Sequence, residues 1–477
     1  MKTLLLNPPS FENFDGGAGS RWPARREITS FWYPVWLAYP AGMIADSRLL
    51  DAPSHGITPE DTADIAKAYD FVVVFTSTPG FSNDVHLAER IKAIKPDIKI
   101  AFVGPHVSVK PEESLNASDA IDFVARKEFD YTVVEFAQGK SMDEIDGISF
   151  RKNGHIVHNK DRELLTDLDS LPFVVEVYKR DLDITKYNVP FLHHPYIAFY
   201  TERGCPAKCS YCLWPQTFSG HRWRTRSSDN VAEEVRRALE LFPEVKEIFF
   251  DDDTFSWGKR RTLDLCQKLK PLKFTWSCTS RVHTDYETLK AMKESGCRLL
   301  IVGFESADAT ILKNISKGAT TDQARTFMQN CKRLGITVHG DFIIGLPGET
   351  RETIEHTMRF AEELDCETIQ VSIAHPFPGT AFDSYLRTHG HLTDHKMWDE
   401  MGHQLPNIHY PGLTREEIVE AVERFYGRYY FRPRIIFRII RRAAFDGNER
   451  RRLYKEAKEY LLLRAKRKRF VRSAVNP

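Results

Sequence analysis

The amino-acid sequence predicts an α/β fold with an N-terminal doubly wound domain, a partial (βα)6 barrel and a helical C-terminal tail. Two series of short apolar runs alternate with amphipathic helical stretches, one in residues 1–150 and the other in residues 194–390. Such alternation is typical of parallel sheets covered by helices. A connector, residues 151–193, separates the two series, and a mostly helical, Arg-rich region, residues 391–477, follows them. We expect the domains to have these boundaries.

The first series contains four strand-like runs that each end in Pro, Gly, Ser or His: KTLLLNPP, RLLDAP, DFVVVFTST and KIAFVGPH. The stretch SNDVHLAERIKAIKP has apolar residues at helical spacing, which indicates a helix between the last two strands. Ligands of doubly wound sheets bind outside the carboxyl ends of the strands. The loops after three of the runs are therefore candidate cofactor contacts, with Asn7, Thr76, Ser77, Gly104 and His106 as the candidate residues.

The connector begins with a predicted hairpin, GISFRKNGHIVHN, and the second series follows it. Six strands are predicted there: YIAFYTERGC, EIFFDDDTF, FTWSCTSR, RLLIVGFES, TVHGDFIIGLPG and TIQVSIAHPFPG. Helical patterns such as SDNVAEEVRRALELF and TRETIEHTMRFAEEL separate them. Because (βα) barrels carry their chemistry at the carboxyl ends of the strands, we expect the active site at that edge.

Charge is distributed unevenly along the 477 residues, although the formal net charge is only +1. Residues 424–477 hold 18 Lys or Arg against 4 Asp or Glu, a net of +14, which leaves −13 for residues 1–423. A basic tail favours an anionic partner, either a membrane surface or a nucleic acid, and a solvated basic helix packed on an acidic body is the structural alternative. The opening MKTLLLNPP is too short for a signal peptide, and no long apolar run is present, so we expect a cytoplasmic protein.

Three of the eight cysteines, Cys205, Cys209 and Cys212, form the pattern C-x3-C-x2-C directly after a predicted strand. Cysteine thiolates hold iron–sulfur clusters, normally four to a cluster, so three leave one iron open. A structural zinc site would need a fourth ligand, and His221 is the nearby candidate. The spacing therefore favours a cluster. The other cysteines are expected to be buried small side chains, with Cys278 at the barrel mouth as the one possible exception.

The segment RGCPAKCSYC resembles the signature of the radical SAM superfamily, and the resemblance covers residues from about 194 to 385. It implies a [4Fe–4S] cluster whose open iron binds S-adenosyl-L-methionine (SAM). The same resemblance assigns SAM contacts to an aromatic residue before the third cysteine, two carboxylates at strand ends and a glycine-rich turn: Tyr211, Asp252, Glu305 and Gly345. Each has a structural alternative, because strand-end carboxylates often cap helices and glycines allow tight turns.

The resemblance also implies the chemistry. An electron from the reduced cluster splits SAM into methionine and a 5′-deoxyadenosyl radical, which abstracts a hydrogen atom from the substrate. The electron would come from a small donor protein such as a flavodoxin or ferredoxin. The protein positions the reactants and excludes solvent, since the cofactors carry the difficult step.

The front domain resembles the cobalamin-binding domains that precede some radical SAM barrels. The segment VGPHVSVKPEESL is similar to their G-x-H-x-x-x-x-P-E-E stretch. The sequence lacks D-x-H-x-x-G, whose histidine ligates cobalt in many cobalamin proteins, so cobalamin is expected without that ligand. A degenerate domain kept as a scaffold is the alternative. The loop GGAGSRWPARREITSFWYP is expected to lie over the site.

Several stretches, among them RDLDITKY, CLWPQTFSGHRWRTRS and FFDDDTF, resemble a narrower group of radical SAM proteins associated with hopanoid biosynthesis. This resemblance implies a hopanoid lipid substrate and a ring contraction of its aminosugar head group to a cyclitol ether. The tail RFYGRYYFRPRIIFRIIRRAAF interleaves Phe, Tyr and Ile with Arg, as in an interfacial helix on anionic lipid, so peripheral contact with the inner membrane is expected. The same stripe could instead pack on the barrel.

Two alternative functions stay open at this point. The first is a cobalamin-dependent radical SAM methyltransferase, which consumes SAM both as methyl donor and as radical source. The second is an RNA-modifying enzyme, but the tail matches no RNA-binding module and no second cysteine cluster is present, so no nucleic-acid partner is expected. His221, Arg222 and Arg224 follow the cysteines and could reach a substrate or be surface charges. The sequence identifies no acid, base or radical-quenching residue.

Overall fold

The structure, a computed structural model, describes residues 1–9, 30–393 and 405–445 and the single residues 397 and 458. Most of the Gly- and Arg-rich loop expected over the site lies outside the described residues, as does most of the tail beyond residue 445. The fold class expected from the sequence is confirmed in both sheets.

The first sheet has seven strands in the order β2-β1-β3-β4-β5-β6-β7. Their bounds are β1 (Thr3–Asn7), β2 (Ser47–Asp51), β3 (Phe71–Phe75), β4 (Lys99–Val103), β5 (Phe123–Ala125), β6 (Ile148–Lys152) and β7 (His155–His158). The first five pair in parallel, and the hairpin β6–β7 adds two antiparallel strands. The sheet therefore continues past the boundary expected at residue 150. Strand β3, FVVVF, is buried along its whole length, as a strand covered on both faces should be.

Helices cover both faces of this sheet. They are α1 (Val35–Met43), α2 (Ala52–His55), α3 (Pro59–Ala66), α4 (Phe81–Ile94), α5 (Pro105–Val109), α6 (Pro111–Ala117), α7 (Asp130–Ala137) and, in the connector, α8 (Val174–Asp181). Short 3-10 turns lie at Met142–Glu144, Leu168–Ser170 and Ile184–Lys186. The α3 and α4 side has its own core, whereas the α1 side shares one continuous core with the second sheet.

The second sheet has six parallel strands in the order β8-β11-β12-β13-β14-β15. Their bounds are β8 (Tyr196–Phe199), β11 (Glu247–Phe250), β12 (Trp276–Ser280), β13 (Cys297–Glu305), β14 (Thr337–Ile344) and β15 (Thr368–Ile373), and the short strands β9 (Glu202–Arg203) and β10 (Arg224–Thr225) form a separate ribbon. In the described part of the chain β8 and β15 each pair on one side only. The barrel is therefore open, as the sequence predicted.

The helices of the second half begin with strong local signals. Helices α14, α15 and α17 each start with a threonine capping box, in which the Thr side chain and the residue three positions later satisfy each other's backbone amides. The helices are α9 (Leu213–Thr217), α10 (Ser228–Leu241), α11 (Lys259–Leu269), α12 (Tyr286–Glu294), α13 (Ala309–Asn314), α14 (Thr321–Leu334), α15 (Arg351–Leu364), α16 (Ala381–Thr388), α17 (Arg415–Tyr430) and α18 (Pro433–Phe445), with a 3-10 turn at Lys270–Leu272.

Helix α17 covers the open edge of the barrel at β15. The Tyr426 hydroxyl accepts a hydrogen bond from the Val371 amide (2.8 Å), and the Tyr430 hydroxyl accepts one from the Ile369 amide (2.9 Å). Two tyrosines thus satisfy backbone groups that a neighbouring strand would otherwise pair. Among the described residues we find no helix with the length and apolar character needed to cross a membrane.

Candidate functional site

The cysteine loop lies at the carboxyl edge of the second sheet, directly after β8. Cys205 and Cys209 are buried, Cys212 is partly exposed, and all three thiols are free. The Cys212 amide donates to the Cys209 carbonyl oxygen (3.1 Å), and the Ser210 amide donates to the Ile315 carbonyl oxygen (2.9 Å). The loop is therefore held as a tight turn against the segment that follows α13.

The surroundings of the loop fit an iron–sulfur cluster. Arg281, which follows β12, points one guanidinium N–H at the Cys209 Sγ (3.8 Å), so a cation lies beside the cysteine loop. A cluster with one open iron needs three thiols, and the loop provides three. His221, the candidate fourth ligand of a zinc site, places Nδ1 3.0 Å from the Cys205 carbonyl oxygen.

The carboxylate of Asp252 binds the residues that follow β8 and not the cysteine loop. It is fully buried and accepts hydrogen bonds from the Thr201 amide (2.6 Å), the Thr201 hydroxyl (2.6 Å) and the Glu202 amide (3.1 Å). Both carboxylate oxygens are thus engaged, which differs from the expected role as acceptor of the SAM ammonium group. Asp253 lines a small cavity with Trp36 and Trp214, and its charge, after burial, raises the pKa of the Cys205 thiol. Asp253 is therefore the carboxylate of this triplet that lies beside the cysteine loop.

Tyr211 and Glu305, both expected to contact SAM, lie together in the structure. The Tyr211 hydroxyl donates to Glu305 Oε1 (2.7 Å), and the Lys317 ammonium donates to the same oxygen (2.6 Å). Burial first, and then the Glu305 carboxylate, raises the pKa of Tyr211 well above its usual range. No pattern in the sequence predicts Lys317, which forms an ion pair with Glu305 at this strand end.

Gly345 begins the glycine-rich turn after β14, as expected. The Gly345 and Leu346 amides donate to the Glu349 carboxylate, and the Tyr410 hydroxyl donates to the Gly345 carbonyl oxygen (3.1 Å). Burial raises the pKa of Glu349 to about 8, although the two amides oppose this shift. Protein groups therefore satisfy these backbone atoms of the turn. A bound ligand would pack against the turn without hydrogen bonding to them.

Two of the front-domain candidates support neighbouring backbone and side chains. Asn7 donates to Asp51 Oδ1 (2.8 Å), and the Tyr187 hydroxyl donates to Asp51 Oδ2 (2.7 Å). Ser77 Oγ accepts from the Gly80 amide (3.4 Å) at the start of α4. Both lie at the expected carboxyl edge of the first sheet, and Thr76 follows β3 at the same edge.

Gly104 and His106 form the part of this edge that best suits a large cofactor. Gly104 has φ 117°, and a Cβ there would collide with the Thr76 carbonyl oxygen. His106 is buried, packs on Phe81 (ring centroids 4.5 Å apart) and pairs Nδ1 with Thr78 Oγ1 (3.1 Å), while Nε2 has no hydrogen-bond partner among the described residues. Burial lowers the pKa of His106 to about 4, so the ring is neutral at pH 7. The unpaired Nε2 of His106, next to the backbone of Gly104, could bind a polar group of cobalamin.

Replacing Gly104 with alanine is expected to destabilise the fold and weaken cobalamin binding, because the added methyl group meets the Thr76 carbonyl oxygen in a backbone conformation that already costs about 1–3 kcal/mol. Gly139→Ala is the matched control: its φ is 92°, and nothing lies within 4 Å of an added Cβ. Urea unfolding should show a larger loss for Gly104→Ala. Equal losses in the two variants would contradict the close approach of the two loops.

The two candidate edges meet. Helix α5, which begins directly after Gly104, packs on α9, which begins directly after Cys212. Around them Trp36 of α1 packs against Phe218 (4.6 Å) and stacks with Trp214 (6.3 Å). The cofactor edge of the first sheet therefore faces the cysteine loop across an aromatic wall.

Buried ion pairs fix this apposition. The two terminal guanidinium nitrogens of Arg203 donate to the Asp130 carboxylate (2.7 and 2.9 Å), and the guanidinium lies over the Trp36 ring (4.3 Å). The two terminal guanidinium nitrogens of Arg224 donate to the Glu128 carboxylate (2.8 and 2.6 Å). The Arg224 side chain is buried, so it joins the two domains and does not reach a substrate.

The remaining candidates are spread over the second half. His221 and Arg222 are exposed beside the loop. Cys278 is fully buried in β12 near Cys297, as a small apolar side chain would be. Lys317, Arg281 and Arg203 were not predicted, since Lys and Arg carry no signature until the fold places them. Asp253 belongs to the predicted carboxylate triplet, although Asp252 was the residue chosen from it.

Comparisons with known proteins match the two halves separately. The radical SAM superfamily model matches residues 200–361, and the B12 binding domain model matches residues 21–137. The chain is 33% identical to the uncharacterized methyltransferase PH0819 of Pyrococcus horikoshii, over 92% of this chain and 95% of that protein.

Solved structures share the fold across both domains. The chain is similar to the cobalamin-dependent SAM radical enzyme OxsB with aqua-cobalamin and SAM bound (TM-score 0.70, 17% identity), over 97% of this chain and 72% of that one. It is also similar to the radical SAM methyltransferase TsrM of Kitasatospora setae with cobalamin and a [4Fe–4S] cluster bound (TM-score 0.67, 15% identity), over 91% and 89% of the two chains.

Proposed function

Because the chain belongs to the radical SAM superfamily, in the group that carries an N-terminal B12-binding domain, we propose that it is a cobalamin-dependent radical SAM methyltransferase. It is an enzyme whose cofactors are a [4Fe–4S] cluster, SAM and cobalamin. The observation that carries the proposal is the contact between α5 and α9, because it brings the Gly104 edge to the cysteine loop. The relative of 33% identity, named as a methyltransferase, supports the same function.

The residues divide into three groups under this proposal. Cys205, Cys209 and Cys212 would hold the cluster. Asp253 and the Tyr211–Glu305–Lys317 group would contact SAM, with Gly345 in the turn beside it. Gly104 and His106 would contact cobalamin, and the sequence has no D-x-H-x-x-G histidine to ligate its cobalt. When bound, the cluster supplies the electron that cleaves SAM, and cobalamin carries the methyl group.

The protein's own residues orient the two cofactor edges and exclude water from the space between them. Trp36, Trp214 and Phe218 form an apolar wall where the two edges meet, so water is displaced from the space between them. The buried ion pairs of Arg203 with Asp130 and of Arg224 with Glu128 hold the two domains in one relative orientation. Reactants bound at the two edges would thus be oriented before reaction.

The expected ring contraction of a hopanoid head group finds no support in the comparisons, and methyl transfer replaces it as the main proposal. The two differ in how SAM is used. A rearrangement needs SAM only as a radical source, whereas methyl transfer by this route consumes SAM in two ways. The products of SAM therefore distinguish them without knowledge of the substrate.

Product analysis tests the proposal. Protein reconstituted anaerobically with its cluster and cobalamin is expected to convert SAM, under a strong reductant, into both S-adenosylhomocysteine and 5′-deoxyadenosine, measured by mass spectrometry. Protein reconstituted with the cluster alone is the control, and it should form 5′-deoxyadenosine only. Formation of 5′-deoxyadenosine alone by the cobalamin-loaded protein would overturn methyl transfer and leave rearrangement as the better account.

A further inference from the structure

Helix α18 carries an apolar face that points away from the protein. Phe437 is 69% exposed, Ile440 is 60% exposed and Ile436 is 39% exposed. Residues three and four positions apart lie on the same face of a helix, so the three side chains form one stripe. The stripe belongs to a helix whose other side contacts the barrel.

The opposite face of α18 holds the helix on the barrel. Ile435 is 1% exposed, and Arg438 donates to the carbonyl oxygens of Cys366 (2.9 Å) and Glu367 (3.2 Å). Arg434 and Arg438 lie 3.1 and 3.7 Å from the Asp365 carboxylate. Among the residues of α18 whose burial the structure describes, Ile435 packs on the barrel and Ile439 is 36% exposed, whereas the stripe of Ile436, Phe437 and Ile440 faces away from it.

Basic residues border the stripe and continue along the chain. Arg441 is exposed, and the Arg434 side chain is 77% exposed although it pairs with Asp365. From residue 424 to the end, 18 Lys or Arg stand against 4 Asp or Glu. A partner for this region must therefore be anionic and must also accept bulky apolar side chains.

We infer that α18 and the basic region around it dock the protein on an anionic lipid surface. An amphipathic helix with Phe and Ile on one side and Arg beside them binds at the boundary of head groups and acyl chains, and anionic lipids attract each nearby Arg or Lys. RNA offers phosphates but gives no reason to expose Phe437 and Ile440. The inference does not depend on the proposed methyl transfer.

The position of α18 determines what such docking can do. Arg438 binds the carbonyl groups directly before β15, at the amino edge of the second sheet, whereas the cysteine loop follows β8 at the carboxyl edge. Docking through α18 therefore holds the enzyme at a membrane while the cluster loop lies at the other end of the barrel. The contact localises the enzyme and does not deliver lipid to the site.

Sedimentation of the full-length protein with vesicles tests the inference. We expect binding to vesicles of phosphatidylglycerol and phosphatidylcholine, weaker binding to phosphatidylcholine alone, and release as salt rises. Phe437→Ser/Ile440→Ser should weaken binding to the anionic vesicles about tenfold or more, because two apolar side chains no longer enter the lipid. Ile94→Ser removes a 42% exposed side chain of α4 and is the matched control that should bind as the wild type does.

Three results would overturn the inference. They are wild-type protein that stays in the supernatant with anionic vesicles, a Phe437→Ser/Ile440→Ser variant that binds as the wild type does, and equal binding to neutral and anionic vesicles. Both substitutions are on exposed positions, so circular dichroism and the thermal midpoint should be unchanged. A folded variant that has lost binding therefore reports on the lipid contact.

Discussion

Replacing Cys209 with alanine is expected to leave a folded protein that binds no intact cluster and cleaves no SAM. The loop offers three thiols to the cluster, and removing one leaves two irons without a protein ligand. Cys209 is also the cysteine to which Arg281 points (3.8 Å), so the variant loses this contact as well. The measurements are iron content, visible absorbance after anaerobic reconstitution and the yield of 5′-deoxyadenosine.

Cys266→Ala is the control for this experiment. Cys266 is buried in α11, outside the loop, and its removal should leave the cluster absorbance and SAM cleavage intact. A Cys209→Ala protein that keeps full cluster absorbance would contradict the assignment of this loop as the cluster site.

The second large effect is expected at the domain interface. Replacing Arg203 with methionine should lower the free energy of unfolding by about 3–5 kcal/mol, because it leaves a buried carboxylate without its charged partner. Asp130 is 2% exposed and receives both guanidinium bonds of Arg203. The stacking of Arg203 on Trp36 and Tyr39 is lost as well. Urea unfolding followed by circular dichroism measures the loss.

An exposed ion pair gives the matched control. Arg236 pairs with Glu233 on the surface, where solvent screens the charges, and Arg236→Met should change the free energy of unfolding little. Adding Asp130→Leu to Arg203→Met should restore part of the stability, since no charge is then left buried. A loss in Arg203→Met no larger than that in Arg236→Met would show that the ion pair of Arg203 with Asp130 does not hold the domains together.

The regular elements could be predicted because the sequence repeats their signals. Runs such as FVVVF and TIQVSI are apolar throughout or alternate, and they became β3 and β15. Strand β5 was missed because it contains only three residues, FVA, between polar stretches. Its place in the sheet comes from pairing with β4 and β6, which no local pattern reports.

The candidate site could be predicted from the sequence only where the spacing of residues along the chain indicates a function, as in the cysteine motif. The motif predicts that the three cysteines lie together in one loop, and the role of this loop as the cluster site stays a prediction. The hydrogen bond between Tyr211 and Glu305 had no signal in the sequence, because the two residues are 94 positions apart. The role of Asp252 was not predicted either, since two adjacent carboxylates look alike until the fold turns one toward Thr201. Arg224 was open to two interpretations, a substrate contact or a surface charge. The structure shows neither, and its partner Glu128 lies 96 residues earlier in the chain, beyond any local pattern.

Electron paramagnetic resonance of the fully loaded protein tests most directly whether the two cofactor edges form one reaction site. In a partly reduced sample, the cob(II)alamin signal should relax faster when the cluster is reduced, because the two spins lie on facing edges. The same sample made with Cys209→Ala should lack this effect. Identical relaxation in the two proteins, with cluster content verified in the wild type, would contradict a shared site and with it the proposed methyl transfer.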